Sequence, residues 1–267
     1  MKRTLTVVAI LLLSVVAFRA QPTVVPIVEL KHGGLLGGVL KGKWVSATKV
    51  GPTLGKETEF VLVGWRGVEE GGVTLGTKGE QEDVCQDFTR FEFELKQDTG
   101  VAIGSIAKWN FTPRIPTTID LNSSTYKTVV TNFLRKKGIA RPVVKIREAF
   151  RVDLEGDGVE EVVLSATNYK KGLSSDAALG DYSFVIVRKA VGKVVTDHML
   201  EGEFVLKKVD FGAPNEYHVS SIADLNGDGK MEIVLNGQYY EGDSAVAYEM
   251  KNGLPVKIKE FEIGCGV

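Results

Sequence analysis

The sequence predicts a mainly β protein with one amphipathic helix over residues 123–137; α+β is the alternative. Three observations lead there. Phe91, Phe93 and Leu95 alternate with Glu92 and Glu94, the period-two pattern of a half-buried strand. Two pairs of apolar runs in the second half are joined by short glycine-bearing turns, as in hairpins. One segment has convincing helical spacing: Tyr126, Val129, Val130, Phe133 and Leu134 fall at i, i+3, i+4, i+7 and i+8.

Residues 1–20 read as a secretory signal peptide. Met1-Lys2-Arg3 is positive, Val7 to Phe18 is apolar apart from Ser14, and small residues stand at Ala17 and Ala20. Cleavage after Ala20 or after Ala17 suits the side-chain sizes equally. An uncleaved anchor helix is the alternative, but the run is shorter than the roughly 20 apolar residues of a membrane span. No cysteine follows it to carry a lipid, and no later segment is long and apolar enough to span a bilayer. Export to the periplasm or the extracellular space is therefore expected.

Removing residues 1–20 takes Lys plus Arg from 33 to 30 against 34 Asp plus Glu, and the net charge from −1 to −4. Nucleic acid calls for a concentrated basic surface, which this balance excludes. The two cysteines, Cys85 and Cys265, read as a disulfide in an exported chain; two unpaired thiols are the alternative.

Residues 21–115 form a β-rich region with strand candidates Thr23–Leu30, Glu57–Trp65, Arg90–Leu95 and Val101–Ala107. Gly33, Gly34, Gly37 and Gly38 read as turn residues, since the Gly-Lys-Ser/Thr ending of a phosphate loop is missing. Residues 66–89 read as a long polar surface loop carrying Cys85. Residues 116–141 are a linker, marked by Pro113 and Pro116, and the helix. Ser123 is placed to cap it, and Gly138 ends it after three cations that suit the helix dipole.

Residues 142–267 repeat a pattern of strand, acidic loop, strand and hairpin. The hairpins are Ser183–Arg188 with Val194–Leu200, turning near Gly192, and Ala245–Met250 with Val256–Ile263, turning at Asn252-Gly253. The acidic loops read Asp153-Leu-Glu-Gly-Asp-Gly-Val-Glu-Glu161 and Asp224-Leu-Asn-Gly-Asp-Gly-Lys-Met-Glu232, 71 residues apart. Oxygen-bearing side chains at positions 1, 3, 5 and 9, with glycine at 6, suit a hard cation such as calcium. The first ligand set is Asp153, Glu155, Asp157, the Val159 carbonyl and Glu161. The second is Asp224, Asn226, Asp228, the Lys230 carbonyl and Glu232. Two structural calcium ions are expected, the first held more weakly because Glu155 is long for position 3. Position 12, where an EF-hand has its bidentate Glu, is Leu164 or Leu235, so these are not EF-hands.

The run Asp-Leu-Asn-Gly-Asp-Gly-Lys-Met-Glu-Ile-Val from Asp224 resembles the calcium loop of FG-GAP or VCBS-type repeats. The resemblance covers roughly residues 143–263. It implies a loop bridging two strands of a propeller-blade-like sheet. Two repeats cannot close a propeller, which takes at least about four blades, so a sandwich-like or open sheet is expected. The whole chain, including Gly264-Cys265-Gly266, is similar to exported bacterial proteins with no assigned activity.

The catalytic inventory is thin: His32, His198 and His218, with no nucleophile elbow and no His-Glu-x-x-His. Trp44, Trp65, Trp109, Tyr169, Tyr239 and Tyr240 are candidates for a sugar-binding face or for packing. The expected role is a non-catalytic binding or scaffolding module with a protein or glycan partner. A calcium-stabilised extracellular hydrolase of glycans or phosphoesters is the first alternative, and a structural piece of a cell-envelope assembly the second. A deep pocket lined by two carboxylates outside the loops, or by a histidine with a carboxylate partner, would favour the hydrolase; a shallow surface with an aromatic patch would favour binding.

Overall fold

A computed structural model describes residues 23–64, 67–79, 85, 88–94, 97–208 and 211–266. The proposed signal peptide, Trp65 and Leu95 lie outside them. The chain is mainly β, in three antiparallel sheets. The first holds β1 (Val25–Glu29), β2 (Leu35–Leu40), β3 (Lys43–Ser46), β4 (Glu57–Gly64), β5 (Gly67–Lys78), β6 (Phe91–Phe93) and β7 (Val101–Gly104). Their order is β3-β2-β1-β7-β4-β5-β6, and the short helix α1 (Ala47–Val50) follows β3. The second sheet runs from the two-residue β8 (Thr117–Thr118) through β9 (Ile146–Val152), β10 (Glu161–Asn168) and β11 (Tyr182–Val191) to β12 (Val194–Phe204). Helix α2 (Ser124–Lys136) connects β8 to β9. The third is a four-stranded meander of β13 (Glu216–Ala223), β14 (Glu232–Tyr239), β15 (Gly242–Lys251) and β16 (Leu254–Gly266).

The acidic loops occupy the same place in two similar meanders, joining β9 to β10 and β13 to β14. Each meander continues into a hairpin. Asn252 (φ 52°) and Gly253 (φ 78°) supply the two left-handed residues that a tight turn between β15 and β16 requires.

Strand alternation makes the sheets stack. In β10 and β11, Val163, Val185 and Val187 face Ile233, Leu235, Val246 and Tyr248 of the third sheet. Their neighbours Leu164, Ala166, Phe184 and Ile186 point the other way, onto Val130, Phe133 and Leu134 of α2. The third sheet is apolar on both faces: Val234, Ala245, Ala247 and Phe261 pack on Ile27, Leu36 and Ile103 of the first. The first sheet's far face buries Val28, Phe60 and Ala102 with Val50 of α1. Each valine, leucine, isoleucine or phenylalanine among these, once fully buried, contributes roughly 1.5–3 kcal/mol.

Three expectations are revised. The stretch placed in a surface loop contains β5, twelve residues long. It was hard to see because Val68, Val73 and Leu75 remain about half exposed, so pairing with β4, not burial, holds it. The repeats do not share one sheet; each meander is a sheet of its own. Ser123 stands at the start of α2 but its side chain makes no capping bond. The C-terminal end matches the sequence better: Gly138 is left-handed (φ 101°), and the Ile139 N–H reaches back to the Leu134 carbonyl at 3.0 Å.

Candidate metal centre

Both loops are ordered by one plan. Asp153 accepts the N–H groups of Gly156 at 2.7 Å, Gly158 at 2.9 Å and Asp157 at 3.2 Å. Asp224 accepts those of Gly227 at 2.7 Å and Gly229 at 2.8 Å. The position-5 residues Asp157 and Asp228 each accept the N–H two residues on. Glu161 and Glu232 each take the N–H of the residue after the first Asp, at 3.0 and 2.8 Å. Gly158 and Gly229, both at φ 84°, meet the backbone demand of the turn.

Residues absent from the sequence-derived ligand sets bind the loops together. Arg114 donates to the carbonyl of Asp153 and, at 2.7 Å, to that of Gly229, so one guanidinium spans both loops. The Met231 N–H bonds the Leu154 carbonyl at 2.8 Å. Trp109 donates to the Asp224 carbonyl at 2.9 Å and lies against Gly227 so closely that a Cβ there would meet the ring at 2.9 Å.

The loops differ in charge. In the first, the Lys189 ammonium contacts Glu155 and stands 3.1 Å from Glu161. Burial lowers the Lys189 pKa, but carboxylates in contact favour the charged form. Burial would raise Asp153 as well, yet three backbone N–H groups and Arg114 hold it below the ordinary value. In the second loop Asp224 and Glu232 are 2% and 1% exposed. Burial raises both pKa values, Glu232 well above the ordinary glutamate range, and Asp228 adds repulsion to each, with Glu249 adding to Glu232. Among the described residues no basic side chain forms an ion pair with Asp224, Asp228 or Glu232.

Buried charge of this kind costs several kcal/mol per ion unless it is paired or binds a cation. A hard divalent cation fits this donor set, though among the described residues no three acidic, imidazole or thiol groups form a preformed cage. Asp224, Asn226, Asp228, the Lys230 carbonyl and Glu232 would hold it, and it would neutralise the turn. Asp157 and Val159 of the first loop are exposed, and Glu161 is buried.

The histidines fall elsewhere. His32 bridges Glu29 at 3.4 Å and Asp243 at 3.3 Å, and His198 lies on β12. His218 lies between Glu148 at 3.3 Å on Nδ1 and Glu216 at 3.4 Å on Nε2. Glu148 also accepts from Ser165 and lines an open cavity of about 760 Å³ with Ile115, Thr118 and Phe150. Hydrogen bonds to Glu148 and Glu216 push the His218 pKa up to about 9. Both nitrogens are spent on carboxylates, so His218 is a charged bridge at neutral pH, not a general base.

A raised histidine stabilises the fold while protonated. That stabilisation is complete below the ordinary value of 6.5 and is lost as pH rises through about 9. Unfolding free energy is expected to fall by up to about 3 kcal/mol across this window. Urea titrations from pH 6 to 10 check it, and His218→Ala should flatten the profile.

The aromatic candidates divide. Trp44 packs on Phe261 at 4.9 Å and Trp109 on the second loop, and Tyr169 bonds the Asn215 carbonyl. Tyr240 is exposed with Phe211, ring centres 6.0 Å apart, and Tyr239 adjoins it. Comparison with family models, with curated proteins and with solved structures returns no match.

Proposed function

We propose that the chain is an exported, calcium-stabilised β protein of the FG-GAP or VCBS-repeat kind, acting by binding or scaffolding and not by catalysis. The observation that carries this reading is the second loop. It combines a calcium-type donor spacing with two buried carboxylates and, among the described residues, no basic side chain in an ion pair with Asp224, Asp228 or Glu232. The Cys85–Cys265 bond supports an oxidising compartment. No helix among the described residues is long and apolar enough to cross a membrane. The exposed Phe211–Tyr240 pair supports a contact surface for a protein or glycan. The hydrolase reading finds support in His218 bonded to Glu148, which lines an open cavity, but a histidine bonded to two carboxylates has no nitrogen left for a nucleophile.

Calorimetric titration of the folded protein with calcium is expected to give a heat of binding. Trp109, packed on the loop, should change its fluorescence on the same titration. Calcium at about 100 times its Kd would add about 2.7 kcal/mol of stability. A chain of this size then melts roughly 5–10 °C higher than in chelator. No heat and no shift in melting would sink the calcium reading.

A further inference from the structure

Lys189 and Glu249 occupy corresponding places in the two meanders. Val162 of β10 pairs with Arg188 of β11, so Glu161, one residue back, meets Lys189. Ile233 of β14 pairs with Tyr248 of β15, so Glu232 meets Glu249. Position 9 of the first loop thus faces an ammonium, and position 9 of the second faces another carboxylate.

We infer that Lys189 is the built-in cation of the first loop, and that the protein takes a single exchangeable divalent ion, in the second loop. The inference rests on the calcium reading above and divides the loops that the sequence treats alike. The Lys189 side chain is only 10% exposed, and its ammonium lies against Glu155 and Glu161, two of that loop's would-be ligands. Arg114 reaches carbonyls of both loops, so the difference between them rests on Lys189. A divalent ion entering there would have to displace an ammonium already paired with two of its donors, and would meet it as a like charge. Glu155, too long for the usual position-3 ligand, reaches Lys189 instead. The second loop has the opposite balance: Asp224, Asp228, Glu232 and Glu249 lie close enough to repel, Lys251 reaches one Glu249 oxygen at 2.5 Å, and the neutral Trp44 indole donates to the other at 3.4 Å.

The test is ion stoichiometry by equilibrium dialysis against calcium chloride, with metal counted by elemental analysis and folding followed by circular dichroism. Wild type is expected to hold one ion per chain. Lys189→Met, which keeps the apolar stem and removes the charge, should hold two. Glu249→Lys, which gives the second loop its own cation, should hold none. Lys189→Gln serves if the Met variant does not fold. Two ions in wild type overturn the inference and leave the calcium reading standing, as does one ion in folded Lys189→Met or Lys189→Gln. No ion in wild type overturns both.

Discussion

Asp224→Ala combined with Asp228→Ala is expected to remove calcium-dependent stability altogether. The double variant should melt at one temperature with calcium or with chelator, and below wild type in chelator because the Asp224 turn bonds are lost too. At 100 to 1,000 times Kd the ion would contribute about 2.7–4.1 kcal/mol, and for a chain of this size the corresponding gap is roughly 5–15 °C. The residues act differently. Asp224 is buried and holds the turn by accepting the Gly227 and Gly229 N–H groups, so losing it weakens the loop with or without metal. Asp228 is exposed and accepts one N–H, from Lys230, so Asp228→Asn alone isolates the loss of a ligand charge. That variant should bind calcium more weakly while keeping the chelated melting temperature. A double variant that still melts higher with calcium would mean the ligands lie elsewhere.

The loops were legible because their geometry is local. Their internal hydrogen bonds span two to seven residues, and the glycines that permit the turn lie between the ligands. The strands flanking them, α2 and the Asn252-Gly253 turn were legible for the same reason: period and turn chemistry are written in neighbouring residues. Strand β5 was not, because Gly67, Gly71, Gly72 and Gly76 interrupt its pattern and its valines do not enter the core. The charge balance of the loops was also hidden. Arg114 is 39 residues from Asp153, and Lys189 is 34 from Glu155. One signal did exist: Lys189 follows the apolar run Phe184–Val187 and Arg188 in a hairpin strand, and it proves 8% exposed.

Stacking explains why these long-range contacts matter. The third sheet has no free face, since the first sheet covers one side and the second sheet the other. The carboxylates between these layers find partners within the protein, although Ser221 Oγ and Asn236 Oδ1 are buried without one. Glu29, fully buried on β1, accepts from Asn236 at 3.0 Å and from Ser220 at 3.4 Å, tying the first sheet to the third. Glu148 on β9 accepts from the Val219 N–H at 3.2 Å, tying the second sheet to the third. Such satisfied buried groups fix which layer meets which, because truncating either partner strands a polar atom at a cost of about 1–3 kcal/mol.

Replacing Cys85 and Cys265 together by serine is expected to cost more than any single loop ligand. The bond joins residues 180 apart, with Cα atoms 5.6 Å apart. The chain-entropy model gives about 5 kcal/mol for a loop of that order, with measured losses usually about 2–5 kcal/mol. The bond links the segment before β6 to β16, crossing from the first sheet to the third. The layers stay packed without it, since Phe88 beside Cys85 still rests on Ile263 and Gly34. Most of the effect therefore falls on the unfolded chain, which expands once the link is gone. Urea unfolding should then show a lower midpoint and a steeper slope, because more surface is exposed on unfolding. An unchanged midpoint would rule this out. The loss should also add to the loss of calcium. Within the third sheet the acidic loop ends at Glu232 at one end of β14, while Cys265 pairs with Asp243, which pairs with Gln238 near the other. Six steps of strand from Glu232 to Gln238 separate the two levels by roughly 20 Å, well past the distance at which neighbouring sites couple. A protein lacking both the bond and the ion should therefore lose the sum of the two, and a shortfall would reveal that one staple acts through the other.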